Sequence, residues 1–217
     1  MYMKAVFIVP PYSIVSKTLM KQYEWDKMRE YRSRQRLWSC PSLSLLTVAG
    51  MLPEDRFEME YLDLNYADDA FVEDYDIALF SPSTTQINEA AELSGRLKQN
   101  RAITVAGGPH VSFAPGEAGT SFDTVFVGEC EDTFSSFLRD LEGGRPGKVY
   151  RAPGFADLTR SPPPRYSLAA KYPYKSIPVQ LSRGCPHRCK FCVSSKLYGT
   201  RYRRKEFSQI GKELKEI

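Results

Sequence analysis

Cys185-Pro186-His187-Arg188-Cys189-Lys190-Phe191-Cys192 sets three thiols within one short loop. Thiolates are soft ligands for zinc or iron–sulfur clusters, and the number of protein ligands decides what the metal can still do. Three cannot saturate a four-iron cluster. One iron then stays open to water or substrate, just as a catalytic zinc keeps one position free where a structural zinc closes it. The spacing, three residues and then two, is neither the run of bacterial ferredoxins nor the paired two-residue spacings of zinc ribbons. Two other uses stay open here: a zinc site of Cys185, Cys189, Cys192 and His187, or oxidised or incidental thiols. Cys40 and Cys130 read as inert packing residues. An odd total of 5 cysteines without an export signal argues against a disulfide framework.

A second group of candidates lies further upstream, where strands are expected to end. Lys4–Val9 is an apolar, β-branched run stopped by Pro10-Pro11, the pattern of a strand buried on both faces. Pro41 suits a first helical turn, followed by Leu43, Leu45, Leu46, Val48, Ala49 and Leu52. Further strands are expected at Phe57–Asp63, Asp76–Phe80, Arg101–Ala106 and Val125–Val127. Between them, Ile87, Ala90, Ala91 and Leu97 form the stripe of a helix that Ser83-Thr84-Thr85 can cap, and Phe134, Phe137, Leu138 and Leu141 form another, ended by Gly143-Gly144. Alternating strands and helices predict a doubly wound parallel α/β domain over residues 1–150. Such sheets bind ligands beyond the carboxyl ends of their strands. Ser83-Thr84, Gly107-Gly108-Pro109-His110 and Gly128-Glu129 are expected together at that rim, although each alone also reads as turn chemistry or a hydrogen-bonded histidine.

Residues 151–175 read as a linker, because Pro153, Pro162, Pro163, Pro164 and Pro173 resist helix and central strand. Residues 176–217 then offer a strand over 176–182, the cysteine loop and a helix over 207–217, the start of a second, incomplete domain. The 217 residues carry 30 Lys and Arg against 26 Asp and Glu, a formal charge of +4 that does not demand nucleic acid. Arg201–Lys205 reads as a solvated helix entrance. No run approaches the ~18 apolar residues of a membrane helix, and Met1–Pro11 lacks signal-peptide character, so a cytoplasmic location without membrane contact is expected.

Taken in order, these stretches resemble the B12-binding class of the radical S-adenosylmethionine superfamily. The likeness rests on Val105–His110, nearby Pro115, Asp123–Glu131, Pro162–Tyr166, Ser182–Cys192 and the basic turn Arg201–Phe207. It implies a Rossmann- or flavodoxin-like cobalamin-binding sheet, followed by the first strand, loop and helix of a radical S-adenosylmethionine β/α barrel. It implies that Cys185, Cys189 and Cys192 ligate a [4Fe-4S] cluster whose open iron chelates S-adenosylmethionine, with Phe191 bordering the adenine. Cobalamin would contact Ser83, Thr84, Gly107, Gly108, Pro109, His110, Gly128 and Glu129. Pro10–Lys17 contains no histidine and so lacks the Asp-x-His-x-x-Gly motif of the usual B12 fold. The resemblance therefore implies cobalamin held without a protein histidine below cobalt, with Tyr12–Trp38 covering the corrin.

The function expected on this likeness is reductive cleavage of S-adenosylmethionine to a 5′-deoxyadenosyl radical, with methyl transfer to an unactivated carbon of a small-molecule substrate. A reductase, flavodoxin or ferredoxin is the expected electron donor. A complete barrel needs roughly 200 residues, so the chain is expected to be a fragment of a longer enzyme and inactive alone. A cobalamin-binding or sensing module with structural zinc or a vestigial cysteine loop is the alternative reading. RNA modification is a further one, disfavoured by the mild charge.

Overall fold

The computed structural model describes residues 2–11, 40–66 and 74–217. Six parallel strands form one sheet: β1 (Met3–Val9), β2 (Phe57–Asp63), β3 (Ile77–Phe80), β4 (Ile103–Ala106), β5 (Thr124–Val127) and β6 (Val149–Arg151). Their spatial order is β2-β1-β3-β4-β5-β6. This is the doubly wound, flavodoxin-like order extended by one strand, and it reverses direction between β1 and β3. β1 lies between β2 and β3, in register Phe7↔Tyr61 and Phe7↔Leu79, which is why Ala5 to Val9 are all buried. The expected strands are therefore present. Val149–Arg151 was not expected: only Tyr150 of its three residues is buried, so the run has no apolar signature. It carries the sheet one residue past the expected domain end.

Helices cover both faces. Helix α1 (Leu43–Ala49) and α5 (Phe134–Glu142) pack with Phe7, Leu79, Val105 and Phe126 on one side. Phe126 anchors that core, stacked on Tyr150 at 5.2 Å between ring centroids and edge-on to Phe137 at 5.4 Å. Helices α2 (Ile87–Gln99), α3 (Pro109–Phe113) and α4 (Pro115–Ser121) belong to the other side, where Val6, Ile8, Ala78, Phe80 and Ala106 meet Ile87, Ala90, Leu93, Leu97 and Phe122. Pro41 lies ahead of the N-cap Ser42 rather than in the first turn of α1, and Leu52 is buried beyond the helix end. Ser83-Thr84-Thr85 do not cap α2. Its N-cap is Gln86, because the Ser83 hydroxyl is spent on the Gln86 side chain at 2.9 Å. Of the expected stripe, Ala91 is only half-buried, and Leu93 and Ser94 take its place.

A polar cluster ties α2 to the sheet. The Thr104 N–H and hydroxyl both donate to Asp123 Oδ2 at 2.9 Å, and Lys98 Nζ stands 3.2 Å from Oδ1. Burial opposes the Asp123 carboxylate, but these donors prevail and hold its pKa below the usual range. Asp123→Asn is expected to lose about 1–2 kcal/mol of stability at neutral pH. A folded-state pKa below the unfolded one gives stability that is present above the unfolded value and lost as pH falls through the folded value. The two proteins should therefore converge in urea unfolding as pH falls below the ordinary value of 3.8.

The proline-rich segment forms no sheet strand after Arg151 and is packed down. Two 3-10 turns, Leu158–Arg160 and Tyr166–Ala169, bury Leu158, Tyr166 and Ala169. Arg165 completes α1: its N–H donates to the Leu46 carbonyl at 3.0 Å, Nε to Ala49 at 2.7 Å and Nη2 to Leu52 at 2.9 Å. Tyr174 donates to Asp63 Oδ2 at 2.6 Å, and the Asp63 N–H donates to Tyr172 at 3.0 Å, fixing the segment's far end to β2. Beyond it, the strand expected over 176–182 is reduced to β7 (Ser182–Arg183), paired antiparallel with β8 (Arg203–Arg204). Helices α6 (Ser194–Tyr198) and α7 (Phe207–Glu216) follow. Among the described residues, no helix is long and apolar enough to cross a membrane.

Candidate functional site

A cavity of about 120 Å³ opens at the carboxyl ends of β3, β4 and β5, between the sheet and α1. Leu79, Val105 and Phe126 line it from the sheet, Leu45 and Val48 from α1, Met51 from the turn after α1, and Ser81, Gly107, Gly108 and Gly128 from the rim. Arg183, Leu197 and Tyr198 of the C-terminal segment complete it. Gly108 has φ +91, a left-handed conformation that glycine adopts without strain, and a Cβ there would stand 2.6 Å from Ser81 Oγ. Gly107 is different: its Cβ would meet only Phe126 Cβ, at 3.5 Å, so it keeps the cavity open rather than the backbone relaxed. Burial pushes the Cys130 thiol up to about 12, making it a neutral part of the wall. Cys40, expected to be packed, is exposed instead.

The rim residues expected from sequence divide into two groups. Gly107, Gly108, Gly128 and Glu129 line the cavity, whereas Ser83, Thr84, Pro109 and His110 do not. His110 Nδ1 lies 3.2 Å from Thr84 Oγ1, and its Nε2, without a hydrogen-bond partner among the described residues, lies 3.8 Å from Glu117 Oε2. Pro109 opens α3. Ser83 serves Gln86, whose Nε2 donates to the Pro10 carbonyl at 2.6 Å and so ties β1 to β3 at the point where the strand order reverses. Gln86 escaped sequence reading, because an isolated glutamine beside an apolar stripe carries no periodic signal. The residues expected to cover a corrin, Tyr12–Trp38, lie outside the described residues.

Glu129 lines the cavity with its backbone neighbours, but its carboxylate is already engaged. Oε2 accepts the Ala156 N–H at 2.9 Å and Arg203 Nη1 at 2.7 Å, and Oε1 accepts Arg203 Nη2. Arg183 Nη1 stands 3.3 Å from Glu129 Oε2 and 2.6 Å from Glu131 Oε1. The Glu129 side chain is only 3% exposed. Burial works against the Arg183 cation, but Glu131 and Glu129 outweigh it and raise its pKa above the ordinary range. The Glu129 carboxylate is thus an anchor for two arginines. The basic run is solvated only in part: Arg201, Tyr202 and Arg204 are exposed as expected, whereas Arg203 sits over the Phe155 ring at 5.2 Å and Lys205 is buried against Glu213.

The cysteine loop leaves this anchor directly. Arg183 pairs in register with Arg203 across β7 and β8. Gly184 follows at φ +93, where a Cβ would fall on the Arg201 carbonyl. The Cys185 N–H donates to the Gly199 carbonyl at 3.0 Å, and the Cys192 N–H donates to Cys189 at 3.1 Å. The Ser194 hydroxyl and the N–H groups of Ser194 and Ser195 hold the Cys192 thiol below its usual range. Cys185 and Cys192 are half-buried, Cys189 and His187 are exposed, and Phe191 is 91% exposed. Among the described residues no three His, Cys, Asp or Glu side chains converge to hold a metal ion. Three accessible soft donors, one biased toward thiolate, on a loop fixed at its base suit an iron–sulfur cluster by chemistry; the loop does not pre-gather them.

Residues 38–138 match the B12 binding domain family. Over 195 residues the chain is 33% identical to an uncharacterised methyltransferase of Synechocystis sp., covering 88% of this chain and 36% of the relative. It is 28% identical over 179 residues to the bacteriochlorophyllide d C-8(2)-methyltransferase of Chlorobaculum tepidum, covering 79% and 40%, and 31% identical over 181 residues to the hopanoid C-2 methylase of Rhodopseudomonas palustris, covering 80% and 34%. The chain thus spans 34–40% of the length of these curated relatives. With a flavodoxin-like sheet, a glycine-lipped cavity at its carboxyl rim and residues 38–138 matching that family, the chain carries a B12-binding domain, with Cys185, Cys189 and Cys192 beyond it.

Proposed function

We propose that this chain is the cofactor-binding part of a cobalamin-dependent radical S-adenosylmethionine enzyme that transfers a methyl group to an unactivated carbon. The observation that carries the reading is the position of the cavity: Gly107, Gly108 and Gly128 form one lip, and Leu197 and Tyr198, a few residues after Cys192, close it from the cysteine segment. A cobalamin site and a cluster loop would then share one wall. A cavity of about 120 Å³ admits a single ring and not a macrocycle; the corrin would rest outside on the rim, while the apolar wall of Val105, Phe126 and Met51 takes the nucleotide base. The names of the curated relatives, methyltransferases acting on a bacteriochlorophyllide and a hopanoid, support carbon methylation.

Cys185, Cys189 and Cys192 would hold the [4Fe-4S] cluster, with S-adenosylmethionine at its open iron and Phe191 beside the adenine. When bound, these cofactors supply an electron for reductive cleavage of S-adenosylmethionine to a 5′-deoxyadenosyl radical, and cobalamin supplies the methyl group. The chain's residues position and shield. The rim glycines let the backbone approach the ligand, Phe126 and Val105 exclude water from the cavity, and the Ser194 and Ser195 N–H groups favour the Cys192 thiolate as a ligand. A reductase, flavodoxin or ferredoxin is the proposed electron donor.

Iron, zinc and acid-labile sulfide per chain after anaerobic reconstitution test this reading. About four iron and four sulfide are expected for a cubane cluster, absent in the Cys185→Ala/Cys189→Ala/Cys192→Ala variant, which should still retain cobalamin through gel filtration. One zinc without sulfide would replace the reading with that of a structural zinc module. Protein left colourless after incubation with cobalamin would remove the cobalamin half.

A further inference from the structure

The carboxylate of Glu129 receives both ends of the cysteine loop. Arg183, immediately before Gly184 and Cys185, stands at its Oε2, and Arg203, which closes the excursion across the β7–β8 pair, occupies both of its oxygens. Glu131, on the same loop after β5, takes the Arg183 guanidinium at 2.6 Å. The four side chains are 3–18% exposed, so their attractions are little screened. The charges balance, two carboxylates against two guanidiniums, and the Arg203 guanidinium also reaches backbone, Nη1 to Ala156 O at 2.6 Å and Nη2 to Tyr198 O at 3.0 Å, while Nε has no hydrogen-bond partner among the described residues. Further out, the loop has little to hold it. Cys189 and Phe191 are exposed, and the motif's cysteines are held by two backbone bonds, Cys185 to Gly199 and Cys192 to Cys189.

We infer that Glu129 and Glu131 are positioning residues for the cysteine motif: by gripping Arg183 and Arg203 they fix the base of the loop against the carboxyl rim of the sheet, and so set where Cys185 stands. Closing a loop at its base costs chain entropy that grows only slowly with length, so one buried carboxylate can organise the whole excursion. This role is distinct from contact with cobalamin, because the Glu129 oxygens are already taken by protein donors. It rests on the reading of Cys185, Cys189 and Cys192 as cluster ligands only for its consequence, not for its geometry.

Two variants of the full chain test it, Glu129→Gln and Glu131→Gln. Removing one partner from a buried cluster is destabilising; Glu131, whose ion-pair partner among the described residues is Arg183, gives the milder change. The first readout needs no metal: alkylation rates of Cys185, Cys189 and Cys192 in the metal-free chain, followed by mass spectrometry. In the wild type, half-buried Cys185 should react several-fold more slowly than exposed Cys189, and in either variant that gap should close, with amide exchange of the β1–β5 strands unchanged. Glu131→Asp should restore part of the gap. The second readout is the electron paramagnetic resonance of the reduced, reconstituted protein, which should change from one set of g-values to a mixture in Glu131→Gln, with less iron per chain. Unchanged Cys185 reactivity in both variants overturns the proposal whatever the metal content. A wild type that takes up no iron while the Cys185 gap still closes in the variants leaves the clamp standing and removes the cluster reading instead.

Discussion

Gly107→Leu is expected to abolish cobalamin retention while leaving the sheet folded. A Cβ at this position makes only an ordinary 3.5 Å contact with Phe126, and Gly107 is not among the glycines with positive φ, so the backbone accepts a side chain without strain. The added isobutyl group would project into the apolar cavity and occupy the space available to a ring. Losing burial of one aromatic group forfeits about 1.5–3 kcal/mol, equivalent to roughly a ten- to hundredfold rise in Kd. Filling apolar space should leave unfolding in urea unchanged or raise stability by up to about 1 kcal/mol. Absorbance of retained cobalamin after gel filtration, beside a urea midpoint for the same preparation, separates the two effects. Equal retention by variant and wild type would place the ligand elsewhere.

Gly184→Ala should do the opposite, sparing cobalamin and costing the cluster. A non-glycine residue in the left-handed region costs about 1–2 kcal/mol, and here the new Cβ also meets the Arg201 carbonyl, which is backbone and cannot rotate aside. The relief available is to part β7 from β8, which moves Cys185 off its bond to Gly199. Iron and sulfide per chain should fall by more than half, amide exchange at Cys185 should quicken, and β1–β6 should keep their protection. Gly211→Ala is the control: nothing lies within 4 Å of that Cβ on α7, so loading should match the wild type. Normal loading in Gly184→Ala would mean that the loop base does not govern the cluster.

The strands most legible as apolar runs are those buried on both faces, while Phe57–Asp63, at the sheet edge, was legible through its alternation. Lys4–Val9 and Asp76–Phe80 sit inside a parallel sheet, where no polar alternation interrupts the apolar run. Val149–Arg151 was silent because a three-residue edge strand with one buried residue is too short to show either an apolar run or an alternation. The Ser83-Thr84-Thr85 cap misled for a different reason: a hydroxyl can cap only if nothing nearer claims it, and Gln86 does. At the site, glycines after strands were readable, since close approach and turn geometry both demand them. The clamp was not. Glu129 and Arg203 are 74 positions apart, and opposite charges at such separations carry no pattern that names a pair. The split between rim residues that line the cavity and those that do not depends on which face of the sheet each loop leaves, a matter of packing rather than residue type.

The proline-rich join has a consequence for how two reactive centres could communicate. A linker joined to its neighbours only at its two ends leaves the units free to move relative to one another, even where proline stiffens it. Here Arg165 is stitched to the end of α1, Tyr172 and Tyr174 are bonded to Asp63, and Arg183 and Arg203 are seized at the opposite edge by Glu129. A body fastened at three separate points cannot pivot. A cobalamin and a cluster bound as proposed would then stand in fixed relation, like two benches bolted to one floor, and whatever passed between them would travel as a small molecule or an electron rather than be carried by a moving domain.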